Sequence, residues 1–167
     1  ELAGQQQALT APVRVDLPVT AYVPPDYIAY EATKIDAHRR IARARTAGEL
    51  GDVRAELADR FGPPPEPVEH LITLQAIRIA AAEMGATSVV YRGSRLQVDG
   101  VDLDDAWATR VRTSNARATY FKKDRVLAVH REGQEPDLLR WVEANLDAIL
   151  ASRVSDDQSS TPGRDSL

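Results

Sequence analysis

The sequence predicts an α+β domain: helices packed on a small antiparallel sheet built from two hairpins, closed by a C-terminal helix. Three observations carry this. Apolar residues recur at helical spacing through the first half. The period then falls to two across residues 88–99 and 116–129. A last helical stripe follows near the end. Strands and helices segregated in this way argue for α+β rather than an alternating α/β chain with a parallel sheet.

In chain order, Val13, Val15 and Leu17 alternate with Arg14 and Asp16, a short strand signal stopped by Pro18. Pro24-Pro25 then forces an extended or turning segment as far as Tyr27-Ile28. Ile35, His38, Ile41, Ala42 and Arg45 place a first helix over about Glu31 to Arg45. Thr46 and Glu49 have capping-box spacing, so a second helix starts after Thr46. Its stripe is Leu50, Val53, Leu57 and Phe61, and Gly62 followed by three prolines ends it. A third helix, about Pro65 to Met84, is apolar on most sides and should be central, with Gly85 as its stop. Gly93-Ser94 between two period-two runs suits a type II′ hairpin. A short helix is expected over Leu103 to Val111, with an N-cap near Asp102. A second hairpin pairs Ala116–Phe121 with Val126–Val129, and the last helix covers about Pro136 to Ser152.

The 167 residues suit one domain with tails. Residues 1–12 read as a linker or the end of something upstream, and 13–152 as the domain. Residues 153–167, rich in Ser, Asp, Thr, Pro and Gly, read as a disordered tail. Cysteine is absent, which removes disulfides, thiolate chemistry and cysteine metal sites and fits a reducing, cytoplasmic setting. No apolar run approaches bilayer-spanning length, and the polar start at Glu1 and Gln5–Gln7 has no signal-peptide pattern. Net charge is −4, with 18 arginines against 3 lysines, a balance that argues against a dedicated nucleic-acid binder.

Catalytic motifs are missing. There is no Walker-type loop, no G-x-G-x-x-G, no H-E-x-x-H and no G-x-S-x-G, so the sequence gives no catalytic residue, metal site or cofactor. His38, His70 and His130 are not spaced as ligands. Asp99, Asp102, Asp104 and Asp105 fail the EF-hand spacing and read as a turn followed by a helix cap. Two surface patterns are left. Asp52, Glu56 and Asp59 stack on one face of the second helix, with Arg54 and Arg60 nearby to relieve their repulsion. They form either a solvated acidic face or a docking stripe for a basic partner. Arg117, Tyr120, Lys122, Lys123 and Arg125 form a basic-aromatic hairpin. Its bland reading is a charged tip beside core aromatics, and its functional alternative is a nucleic-acid contact.

Several runs, taken in order, resemble the C-terminal domain of the bacterial transcription-repair coupling factors (the Mfd family). Leu17-Pro18 with Val23-Pro24-Pro25-Asp26-Tyr27-Ile28 is similar to that family's leading L-P-x-D-[FY]-I stretch, and Arg39-Arg40-Ile41-Ala42 to its first helix. Glu56-Leu57-Ala58-Asp59-Arg60-Phe61-Gly62 with the following prolines resembles its E-L-x-D-R-F-G-x-x-P run. Met84-Gly85 and Arg140-Trp141-Val142 agree in order, so the resemblance spans about residues 13–151. It implies a parent protein that is an ATP-dependent DNA translocase acting on stalled RNA polymerase and recruiting the repair protein UvrA. It implies that this domain, itself without motor motifs, folds back on the parent's N-terminal UvrB-like module. There it would cover the UvrA-binding surface and hold the protein repressed. Asp52, Glu56, Asp59 and Arg60 are the docking positions expected here; Glu56 and Asp59 are the ones that match the family's docking acids.

Overall fold

The computed structural model describes residues 12–133 and 137–153. The expected linker through residue 11, the tail beyond Arg153 and the helix start at Pro136 lie outside them. Among the described residues no helix is long and apolar enough to cross a membrane.

The elements run β1 (Arg14–Asp16), α1 (Glu31–Arg43), α2 (Ala47–Phe61), α3 (Glu66–Glu83), β2 (Ser88–Arg92), β3 (Arg95–Asp99), α4 (Asp105–Ser114), β4 (Ala118–Phe121), β5 (Val126–His130) and α5 (Leu138–Ala151). The fold is α+β, and its sheet has the order β1-β2-β3-β5-β4. Both hairpins form as expected and contribute four antiparallel strands. The sheet is nevertheless mixed, because β1 adds to the edge of β2 in parallel, with Arg14 opposite Ser88 and Asp16 opposite Val90. Three helices separate β1 from β2, so no local turn signal could announce that pairing.

Register explains which strand face is buried. Val89, Val98, Leu127 and Tyr120 form one cross-strand row, and Tyr91, Leu96, Val129 and Ala118 the next. Both rows point into the larger core, where they meet Ile77 and Ala81 of α3, Met84 at its C-cap, Trp107 of α4, and Val142 and Leu146 of α5. A second cluster joins α1, α2 and the outer part of α3 through Ile41, Leu50, Leu57, Val68 and Ile72. α3 serves both clusters, so it is apolar on most sides, as its sequence requires.

Helix ends follow local chemistry. Thr46 Oγ1 accepts from Glu49 N (3.1 Å), and Glu49 Oε2 accepts from Arg45 N (2.7 Å), so the capping box closes one residue ahead of the cap. α1 stops at Arg43 rather than Arg45 because Ala44 is extended; the buried Gln75 Nε2 donates to the Ala44 carbonyl at 2.8 Å. α3 ends in a Schellman pair, Ala86 N to Ala81 O (2.9 Å) and Gly85 N to Ala82 O (3.0 Å). The cap of α4 is Asp104, which accepts from Trp107 N at 2.7 Å, and not Asp102, so the helix starts two residues later than expected. The first hairpin turn is also corrected. Gly93 and Ser94 both have positive φ (55° and 64°), which is type I′ rather than type II′. The Ser94 carbonyl accepts from Arg131 N at 2.8 Å, which helps hold Ser94 in a region that a glycine would enter more readily. Trp107 Nε1 donates to Ile149 O (2.9 Å) and Arg110 Nε to Ser152 O (2.6 Å), fastening α4 to the end of α5.

Candidate docking face

The two most specific sequence runs, 23–28 and 56–62, meet in space. Tyr27 donates its hydroxyl to Leu57 O (3.1 Å) and Gly62 O (2.9 Å), and its ring meets Phe61 edge-on, with centroids 5.8 Å apart. Burial, then Glu69, raises the Tyr27 phenol above its ordinary value, so it stays a neutral donor. Gly62 leaves α2 at φ 88° and ψ 178°, a conformation that suits glycine. The leading segment therefore staples the C-terminal end of α2.

On that braced helix the acidic positions share one face, as their spacing requires, but differ in surroundings. Asp52 and Asp59 are exposed and no ion pair reaches them among the described residues. Glu56 is half-buried and committed inward: it binds the Arg40 guanidinium of α1 and lies 3.6 Å from Arg60. Arg40 also pairs with Asp36 at 3.0 Å, and the Glu56 hydrogen bond raises its pKa above the ordinary arginine value. Arg60 in turn lies over the Phe61 ring, 5.0 Å from its centroid. Beneath this network is a dimple of about 10 Å³ between α1 and α2, too small for more than a water. Arg54 takes no part, since it forks onto Glu69 of α3 at 2.6–3.1 Å. The face thus offers two open carboxylates beside a closed Arg40–Glu56–Arg60 network. Arg40 was visible in the sequence only within the family run. The signal for its role is a cation on the helix adjoining the acidic stripe.

The structure divides the residues of the basic hairpin between inward contacts, surface ion pairs and the open turn. Tyr120 turns its hydroxyl inward, donating to Val101 O (2.7 Å) and accepting from Leu103 N (3.1 Å). Arg117 pairs with Glu132 (2.9 Å) and Lys122 with Asp105 (2.7 Å). The Lys122 contact lowers the Asp105 pKa and raises that of Lys122. Lys123 and Arg125 stay exposed at the turn. Of the aspartates near residue 100, Asp99 accepts from Ser88 Oγ (2.6 Å) and Asp104 caps α4. Among the described residues no group of three potential ligands could hold a metal ion. His70 Nδ1 lies 2.7 Å from Thr20 O, and His38 and His130 are exposed.

A family model for the TRCF domain matches residues 17–105, from the end of the first strand to the start of α4. The chain belongs to the TRCF domain family. Curated relatives agree. The transcription-repair-coupling factors of Mycobacterium tuberculosis and Mycobacterium bovis are each 34% identical over 109 residues, covering 65% of this chain and 9% of theirs. That of Myxococcus xanthus is 32% identical over 108 residues, covering 60% and 9%. This TRCF domain therefore spans under a tenth of the length of the curated relatives it matches. A crystal structure of the C-terminal domain of transcription-repair coupling factor has a similar fold, with a TM-score of 0.72 over 85% of this chain and 94% of that one. Identity there is 15%, so this likeness concerns the fold alone.

Proposed function

We propose that this TRCF domain is a non-catalytic regulatory domain of an ATP-dependent DNA translocase that couples transcription to nucleotide-excision repair. It docks through the outer face of α2 on the UvrB-like module of its own parent chain and masks the UvrA-binding surface until RNA polymerase is engaged. The observation that carries this reading is the division of labour on α2. Glu56 is locked to Arg40 and Arg60 and stiffens the face, while Asp52 and Asp59 are left open to a cationic partner. Exposed charges of this kind set register and association rate more than affinity, which suits a contact that must be released.

The test is calorimetric titration of the chain against the purified UvrB-like module of the same parent, at moderate salt. Asp52→Lys with Asp59→Lys is the informative variant, because it leaves the Arg40–Glu56–Arg60 network alone. Reversing Glu56 would also place a lysine against two arginines and confound docking with folding. Docking by the wild type that falls at least about tenfold in the double variant, with unchanged melting, supports the proposal. Equal docking by both proteins removes α2 from it.

A further inference from the structure

On the side of α2 turned away from Asp52 and Asp59, a groove of about 350 Å³ opens between α2 and α5, over the middle of α3. Its floor is apolar, with Ala76 and Ile79 of α3, and Gly51 of α2 leaves the wall low. Its far side is acidic: Glu83, Glu143 and Asp147 all border it. None of the three carboxylates forms an ion pair among the described residues. Arg54 also borders the groove but is held by Glu69; Arg140 pairs with Asp137 at 3.8 Å, and Arg153 lies over the Trp107 ring and on the Glu83 carbonyl. Burial raises the pKa of Asp147, and burial followed by the Asp147 charge raises that of Glu143, which the charge of Arg140 offsets only in part.

An apolar floor beside an incompletely matched acidic wall fits a side chain with an aliphatic stem and a cationic head. The volume takes one or two such side chains and not a whole helix. We infer that this groove is a second docking site, occupied by a helix of a partner protein that crosses its mouth and inserts an arginine or lysine, with an apolar residue one turn away packing on Ala76 and Ile79. The cation completes the charge of Glu143 and Asp147, and the acidic wall repels nucleic-acid phosphates. The inference does not depend on the outer face of α2 serving as a docking face, because the two lie on opposite sides of the helix.

The probe is a fluorescein-labelled, alanine-rich helical peptide carrying Arg and Leu at i and i+4, with a control in which Glu replaces the Arg. Each is titrated against the 167-residue chain by fluorescence anisotropy, and the site is located by amide shifts in NMR spectra. The Arg peptide should bind saturably and shift amides around Gly51, Ala76 and Glu143–Asp147, with the Glu peptide at least about tenfold weaker. Two variants should each weaken it about tenfold: Gly51→Leu, whose Cβ would meet no atom within 4 Å and which therefore narrows the groove without a clash at that atom, and Glu143→Gln with Asp147→Asn. The inference is overturned by unsaturable binding, by equal binding of the two peptides, or by variants that bind like wild type. Shifts confined to Asp52 and Asp59 also overturn it, since they place the cation on the opposite face. Shifts of the groove amides with concentration of the chain alone would make a second copy the occupant and overturn the partner helix.

Discussion

Replacing Gly62 by alanine should destabilise the domain although nothing stands in the way of the new atom. Gly62 sits at φ 88° and ψ 178°, and a Cβ there would meet no atom within 4 Å. The cost is therefore conformational, about 1–3 kcal/mol for a residue with a side chain in this region. Alanine also restricts the unfolded chain, which returns about 0.4–1 kcal/mol, leaving a net loss of about 1–2 kcal/mol. With a urea dependence in the usual range of about 1–3 kcal/mol per molar, the unfolding midpoint should fall by about 0.3–2 M. Asparagine is the decisive control. It tolerates the left-handed helical region, where ψ is near +47°, but Gly62 is far from that value, so Gly62→Asn should fare no better than Gly62→Ala. The assay is urea unfolding followed by circular dichroism. An alanine variant as stable as wild type, or rescue by asparagine, would refute the claim that α2 must leave through this conformation.

Three further outcomes can be checked the same way. Tyr27→Phe keeps the ring on Phe61 but removes the hydroxyl from Leu57 O and Gly62 O, and should cost about 1 kcal/mol, with faster amide exchange at the end of α2. Leu146→Ala removes a fully buried side chain between α5 and the sheet and should cost about 2–5 kcal/mol in thermal unfolding. Glu143 and Asp147 bind a proton more tightly folded than unfolded, so their contribution is whole below the unfolded pKa and is lost as pH rises through the raised folded value. Glu143→Gln with Asp147→Asn should therefore gain on wild type between mild acid and neutrality, by a few tenths of a kcal/mol given how exposed the groups are, as read from denaturation midpoints across pH.

The elements were legible where their signals are local. The capping box at Thr46, the Gly-Pro stop after Phe61 and the apolar run of α3 each fix a boundary from neighbouring residues, and the structure agrees within a few positions. What the sequence left out depends on distance. The parallel seat of β1 is set by three intervening helices, and the type I′ turn at Gly93-Ser94 is settled with a carbonyl bond from Arg131, far along the chain. The same holds for the candidate faces. Spacing alone puts Asp52, Glu56 and Asp59 together on α2, but only packing against α1 shows that Glu56 is already paired. The acidic groove is assembled from α2, α3 and α5, which no single helical stripe reveals.

Magnitudes constrain what the outer face of α2 can do. Two exposed carboxylates that each meet a cation contribute about 0.2–1 kcal/mol apiece, so Asp52 and Asp59 together offer at most about 2 kcal/mol. A micromolar complex needs about 8 kcal/mol, so these charges cannot by themselves hold two separate modules together. They are, however, the right size for a coupling of about 1–3 kcal/mol that biases a tethered domain between docked and released states. In the proposed arrangement the domain is joined covalently to the module on which it docks, which raises the effective concentration toward the millimolar range, where a weak contact is populated and a change of about 1–2 kcal/mol shifts its occupancy strongly. The ratio between wild type and the Asp52→Lys, Asp59→Lys variant is therefore more diagnostic than either affinity. In the linked protein that ratio should appear as a shift between closed and open populations. A linked variant that stays as closed as wild type would mean that apolar burial, and not charge, holds the docked state.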